Sequence, residues 1–274
     1  MGFTSFLISK DFDPRQVQDE CYVEHQKDFP VRVYREFLKP LFASAPTRRV
    51  LDVGCGLGTE VKEAQKDGYE AYGVDLPNMI PFWEKAGNDP IRFFACNATR
   101  LPLCDHYFDF TWSFGVIEHI GTTSDTGALL PDYLQARCDY ADELVRVTKP
   151  GGRIIVSCPN KSFPVDTQHG PNSESHFKEL RALIAQKTKL HFHRTWGKNH
   201  LLSYSEIKRL FCRNESVESV VPLSLKGYFG FGVFQAGYLR TIKKLVRYYI
   251  EHMPILLRPT FLNPYMLVMI LKRP

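Results

Sequence analysis

The chain has 274 residues and a mass of 31.6 kDa, with 44% hydrophobic and 24% charged residues, so it is globular and large enough for one sizeable core. That composition excludes collagen-like, low-complexity and wholly disordered chains. The net charge of +5 hides a division: residues 1–180 hold 19 Lys/Arg against 26 Asp/Glu, and residues 181–274 hold 16 against 4.

The elements are predicted in chain order from hydrophobic periodicity. Residues 31–43 read as a helix whose last turn Pro40 distorts. Arg49–Val53 reads as a short buried strand running into glycines, and residues 59–67 as a helix closed by Gly68. Tyr69–Asp75 is the second strand, residues 78–86 a helix, Ile91–Ala95 the third strand and Phe108–Ser113 the fourth. A helix over 131–147 stops at Lys149-Pro150-Gly151-Gly152, and Arg153–Cys158 is the fifth strand. Ser203, with Glu206 three residues later, marks a capped helix start. Residues 217–225 and Tyr265–Leu271 fit two further strands. Alternating short strands and helices predict an α/β protein with a doubly wound, mostly parallel sheet, whose ligand sits at the carboxyl ends of the strands.

The segment carrying the clearest chemistry is Val50-Leu51-Asp52-Val53-Gly54-Cys55-Gly56-Leu57-Gly58. A strand enters a Gly-x-Gly-x-Gly turn and leaves as a helix, a backbone shape that lets a ligand approach closely. Asp75 ends the second strand 19 residues beyond Gly56, where a carboxylate can accept from ribose hydroxyls. Together they predict an adenosine-bearing ligand. Nicotinamide-binding domains space their glycines differently, as Gly-x-Gly-x-x-Gly.

These residues and four later segments resemble class I S-adenosylmethionine-dependent methyltransferases of the ubiquinone/menaquinone type. The resemblance spans about residues 35–160. It implies a Rossmann-like seven-stranded sheet whose last strand is antiparallel. It also implies S-adenosyl-L-methionine as cofactor, wrapped at its methionine end by the turn, with Asp52, Gly54, Cys55, Gly56 and Gly58 as binding residues. Asp75 and Leu76 resemble the ribose-binding pair, Asn97-Ala98-Thr99-Arg100-Leu101-Pro102 the adenine segment, Phe108 to Ile120 the fourth-strand motif, with Ser113 and Phe114 as its binding residues, and Lys149-Pro150-Gly151-Gly152 the turn before strand five. Asn97 departs from the family's usual Asp and would meet the adenine amino group through an uncharged carbonyl oxygen. The Asn/Asp-Pro-Pro-aromatic loop of nucleic-acid base methyltransferases is missing after strand four, where Ser113-Phe114-Gly115-Val116 stands. The resemblance thus implies a small-molecule acceptor and no nucleic acid. Glu118-His119-Ile120-Gly121 also resembles a segment of cyclopropane fatty acid synthases, so His119 either moves a proton or lines the pocket.

On this reading residues 1–45 are an N-terminal helical cap, 46–160 the cofactor-binding core, and 161–274 the acceptor-side loop, last strands and helical insertion of the same domain. Five of the nine His residues fall at positions 169, 176, 191, 193 and 200, after strand five. His169 or Asp166 is a candidate general base, a metal held by several of these groups is a second reading, and an ordinary polar loop is a third. The expectation adopted is catalysis by His119, His169 and Asp166 with no metal. Residues 238–253 fit an amphipathic helix with Ile242, Leu245, Val246, Tyr249, Ile250 and Met253 on one face. It is read as a packed helix, a pocket lid, or a peripheral membrane contact through residues 238–258 that would suit an anionic or amphipathic acceptor. With no signal peptide, no membrane-spanning run and no Cys-x-x-Cys pair among seven Cys, the expected compartment is the cytoplasm or its membrane surface. A nicotinamide-dependent oxidoreductase and a cofactor-binding protein without turnover are the alternatives.

Overall fold

The computed structural model describes residues 29–123, 128–166, 191–228 and 240–274, with isolated positions between 179 and 186. Its sheet has seven strands: β1 (Arg49–Val53), β2 (Glu70–Asp75), β3 (Phe93–Ala95), β4 (Phe108–Phe114), β5 (Thr148–Pro159), β8 (Val217–Pro222) and β9 (Tyr265–Lys272). Their spatial order is β3-β2-β1-β4-β5-β9-β8. The first five pair in parallel, while β9 runs antiparallel to both β5 and β8. This is the Rossmann-like, mostly parallel sheet with an antiparallel last strand in sequence.

Side chains alternate across the sheet, as the pleat requires. Leu51, Val53, Ile154 and Val156 face a layer with α4 (Tyr133–Val147) and α5 (Tyr204–Cys212). Val50, Phe110, Trp112 and Ile155 face the opposite layer, with α1 (Phe29–Val33 continuing through Tyr34–Leu38 to Lys39–Ala43), α2 (Thr59–Lys66), α3 (Ile80–Lys85) and α6 (Arg240–Glu251). Both faces are therefore covered, which is why the central strands read as nearly continuous apolar runs.

Several boundaries differ from the sequence reading. The effect of Pro40 reaches back one turn: Tyr34–Leu38 winds wide as a π turn, with Lys39 N–H donating to the Tyr34 carbonyl. Proline supplies no N–H to the ladder and crowds the carbonyl four residues earlier, and a widened turn relieves that crowding. Lys149–Gly152 is a bulged continuation of β5, where the pairing jumps from Phe108–Thr148 to Phe110–Arg153. The stretch after β5 contains a short hairpin, in which β6 (Val165–Asp166) pairs with β7 (His191–Phe192). The predicted cap of α5 is present: Ser203 Oγ accepts from Glu206 N–H, and the Glu206 carboxylate accepts from Ser203 N–H at 2.8 Å.

Candidate active site at the carboxyl edge of the sheet

The turn after β1 is held from three sides. Gly54 and Cys55 N–H both donate to the Val74 carbonyl, at 2.8 and 3.0 Å. Trp83 Nε1 donates to the Gly56 carbonyl at 2.8 Å, and Asn88 Nδ2 to the Leu57 carbonyl at 3.2 Å. Gly54 sits at φ 87°, and a Cβ there would lie 2.2 Å from Val116 Cγ2. Gly58 sits at φ 74°, with the Phe93 ring 2.2 Å from a Cβ. Both positions thus exclude a side chain by conformation and by space.

Three carboxylates surround this turn. Asp75 accepts from Gly56 N–H and from Leu76 N–H, both at 2.7 Å, so the acid fixes the turn as well as facing the ligand edge. Burial nevertheless pushes its pKa up. Asp52 is 4% exposed, and burial, then the Glu60 and Asp75 charges, push it well above the usual carboxylate range. Glu60, in the first turn of α2, is pushed up to about 7 by burial. Burial raises all three, and only Asp52 is raised further by its neighbours' charges, so a cation at the turn would favour their ionised forms. S-adenosylmethionine carries a sulfonium and an ammonium group, so the residues fit it. Cys55 is buried and its thiol is pushed well up, chiefly by burial, so it acts by shape.

The other predicted residues are placed as follows. Asn97 and Ala98 follow β3 and are half-buried. Asn97 Oδ1 accepts from Thr99 N–H and Thr99 Oγ1, both at 3.0 Å. A backbone N–H can only donate, so the oxygen is turned to its own loop and the amide nitrogen is the group left for a ligand. Ser113 is fully buried, and its hydroxyl donates to the Val53 carbonyl at 2.6 Å, joining β4 to β1. The Phe114 ring packs on Tyr228 at 4.9 Å and on Phe37 at 6.2 Å. His119 is exposed at the turn after β4, with Thr122 Oγ1 donating to its carbonyl at 2.8 Å. Asp166 lies opposite His191 in the β6–β7 hairpin. His193 ring nitrogen Nε2 is 3.0 Å from the Lys161 carbonyl. His169 and His176 lie outside the described residues. Among the described residues no three His, Cys, Asp or Glu side chains stand where they could hold a metal ion.

Beside the turn is a second group, in which Phe114 and Glu118 of the sequence motifs meet Phe37, Tyr228 and Tyr265, which the sequence did not assign to the site. Gly115 follows β4 at φ 66°, and the point where its Cβ would stand is 3.8 Å from Glu118 Oε1 and 3.9 Å from Tyr265 Oη. Tyr228 packs edge-on to Phe37 at 5.6 Å and tilted to Tyr265 at 5.8 Å, and its hydroxyl is 2.7 Å from Ser157 Oγ. Burial pushes the Tyr228 and Tyr265 hydroxyls upward in pKa, so both stay neutral and present O–H groups. Arg137 braces the backbone here, donating to the Ile120 and His200 carbonyls at 3.2 and 2.6 Å. Val116 touches the Gly54 position and follows Gly115 in the chain, which puts the two groups at neighbouring turns.

Comparison with known proteins agrees with this geometry. Residues 51–156 match the family model described as "Methyltransferase domain". The chain is 32% identical over 127 residues to a demethylmenaquinone methyltransferase of Beutenbergia cavernae, a match covering 46% of this chain and 47% of that protein. It is 32% identical over 142 residues to a probable chloroplastic tocopherol O-methyltransferase of Oryza sativa subsp. japonica, covering 46% of this chain and 34% of that protein. The chain thus spans half or less of the length of these relatives. A crystal structure of a Pyrococcus horikoshii OT3 protein superposes with a TM-score of 0.51 at 15% identity, over 93% of this chain and 100% of that one, a likeness of fold. Residues 51–156 are thus a methyltransferase domain, and this is the part of the chain that the family model matches. Its sequence relatives include quinone and tocopherol methyltransferases and, at 23% identity over 75% of both chains, a malonyl-(acyl-carrier protein) O-methyltransferase of Buchnera aphidicola subsp. Baizongia pistaciae.

Proposed function

We propose that the protein binds S-adenosyl-L-methionine and transfers its methyl group to a small amphipathic acceptor. The observation that carries this reading is the abutment of two half-sites. One is a rigid glycine turn ringed by Asp52, Glu60 and Asp75, which favours a cation. The other is the aromatic wall of Phe37, Phe114, Tyr228 and Tyr265, with Glu118 and the tyrosine hydroxyls at its floor. Demethylmenaquinone and tocopherol, the compounds for which the relatives are named, carry an apolar body and a polar ring substituent, and an aromatic wall with few polar groups suits that shape.

The cofactor when bound supplies an activated methyl group on sulfur. The protein's part is alignment. The turn and Asp75 would hold the donor end, and the aromatic wall would hold the acceptor's body beside it, so that proximity and orientation carry the transfer. The acids around the turn offset the donor's positive charge in the ground state, and the wall keeps water from competing. Glu118 is placed to accept a proton from an acceptor hydroxyl. His119 at the rim, with Asp166 and His169 on the stretch after β5, are the further candidates for carrying that proton away.

Calorimetric titration tests the first half. Micromolar binding of S-adenosylmethionine, with no competition from a nicotinamide dinucleotide, is expected. The reverse preference would replace the reading with an oxidoreductase. Transfer of labelled methyl from the cofactor into the organic-soluble fraction of a cell extract tests the second half. Label confined to protein or nucleic acid would overturn the acceptor class.

A further inference from the structure

Helix α6 and the segment after it turn large apolar side chains outward. Leu245 and Tyr248 are each 65% exposed, Ile255 55%, Leu256 82% and Phe261 63%. They do not mark a loosely attached segment. Ile250 and Met253 of the same stretch are buried, and Val246 packs against the core. The connection to β9 is tied down by its own polar groups. Asn160, at the end of β5, donates to the Thr260 and Asn263 carbonyls at 3.0 and 2.6 Å. Arg258 Nε donates to the Met253 carbonyl at 3.1 Å, and Asn263 Nδ2 donates to the Arg258 carbonyl at 2.8 Å. The backbone is committed to this shape while the apolar side chains point to solvent, so an exposed patch has been built rather than left over.

Charge selects its occupant. Residues 240–262 contain five Lys/Arg and a single acid, Glu251; Arg247 pairs that acid at 2.8 Å, Arg258 is engaged with the Met253 carbonyl, and Lys244 is exposed. A second copy of the chain meeting this face symmetrically would bring like charges together. An anionic lipid surface satisfies both components, apolar side chains at the headgroup–acyl boundary and cations among the headgroups. No helix among the described residues is long and apolar enough to cross a membrane.

The patch borders the site. Tyr265, the first residue of β9, pairs with Pro159 at the carboxyl end of β5 and belongs to the aromatic wall. We propose that α6 and residues 252–264 dock the protein on an anionic bilayer with the mouth of the site turned toward the lipid. That an acceptor enters from the bilayer rests on the methyl-transfer reading. The docking itself does not, and it is tested without cofactor.

The test is co-sedimentation of the full chain with phosphatidylcholine vesicles with and without about 30% phosphatidylglycerol. Binding to the anionic vesicles is expected to exceed binding to the neutral ones by about tenfold and to fall steeply at about 0.5 M salt. The double substitution Leu256→Asp with Phe261→Asp should lower partitioning at least about tenfold. Lys244→Glu should lower partitioning by a smaller factor, and only on anionic vesicles. In both variants the melting temperature and the affinity for S-adenosylmethionine should be those of the parent. Absence of binding to either vesicle type, or binding that survives Leu256→Asp with Phe261→Asp, overturns the proposal. So does a dimer in sedimentation equilibrium that these substitutions dissolve, which would assign the face to a second copy. Failed sedimentation with intact cofactor binding would remove the docking and leave methyl transfer standing, whereas failed cofactor binding with intact sedimentation would do the opposite.

Discussion

At the scale of single residues, the crowding of acids at the glycine turn has a measurable consequence. Glu60, whose ordinary value is 4.5, is raised to about 7 in the fold. The native chain therefore holds that proton more tightly than the unfolded chain, and stability of the cofactor-free protein falls as pH rises from about 4.5 through about 7. A bound cation reverses the preference, because it favours the ionised acids. Binding of S-adenosylmethionine is thus expected to release protons near neutrality and to tighten by about three- to tenfold from pH 6 to pH 8. Titration calorimetry in buffers of different ionisation enthalpy reads the protons directly. Glu60→Gln should flatten most of this dependence, leaving the part due to Asp52. An affinity that weakens with rising pH would remove the cation-completing role from these carboxylates. Asp52, Gly54, Gly56, Gly58 and Asp75 are candidates on sequence alone because they lie on one short stretch and the end of the next strand, which the fold brings to one turn. Glu60 was not singled out, since an acid in the first turn of a helix is an ordinary favourable placement and only burial makes it unusual.

At the scale of elements, legibility follows sequence separation. The strands and the α5 cap rest on local patterns and were read correctly to within a few residues. Of the aromatic wall only Phe114 is readable, as part of the fourth-strand motif; Phe37, Tyr228 and Tyr265 come from α1, the start of the insertion and β9, and only the sheet order brings them to it. The periodicity of α6 placed Leu245 and Tyr249 with Val246, Ile250 and Met253, yet the sheet layer covers only the second group. A helix lying on a domain buries a stripe, and an apolar arc wider than the stripe spills onto the exposed side. The hinge of this arrangement is Asn160, 1% exposed, whose side chain accepts from Ser162 N–H as well as donating to two carbonyls. Asn160→Ala leaves the buried Asn263 carbonyl unpaired and frees the part-buried Thr260 carbonyl and Ser162 N–H, at a cost of about 1–3 kcal/mol. A melting temperature lower by about 5–10 °C is expected, with faster hydrogen exchange concentrated in residues 253–264. Exchange unchanged in that segment would mean that the connection is held by its apolar contacts instead.

At the scale of the whole molecule, the chemistry and the basic charge are separated in sequence but meet in space. The acidic first part, with 26 Asp/Glu to 19 Lys/Arg over residues 1–180, supplies the cofactor side, and the basic last third supplies the edge next to β9. A sheet whose ligand edge is flanked on one side by acids for a cation and on the other by cations and apolar side chains has a preferred orientation at an anionic surface. Orientation of this kind acts on encounter with a membrane-held acceptor and leaves the transfer step itself unaltered. Turnover of a long-chain phenolic acceptor embedded in anionic vesicles is therefore expected to fall about tenfold between 0.1 and 0.5 M salt. Turnover of a short-chain, water-soluble analogue should change less than about twofold over the same range. Leu256→Asp with Phe261→Asp should reproduce that split at low salt, lowering the rate with vesicles and sparing the soluble acceptor. Equal losses with both acceptors would place these side chains in the support of the site itself, because a group that acts only by docking has no influence on a substrate that arrives from water.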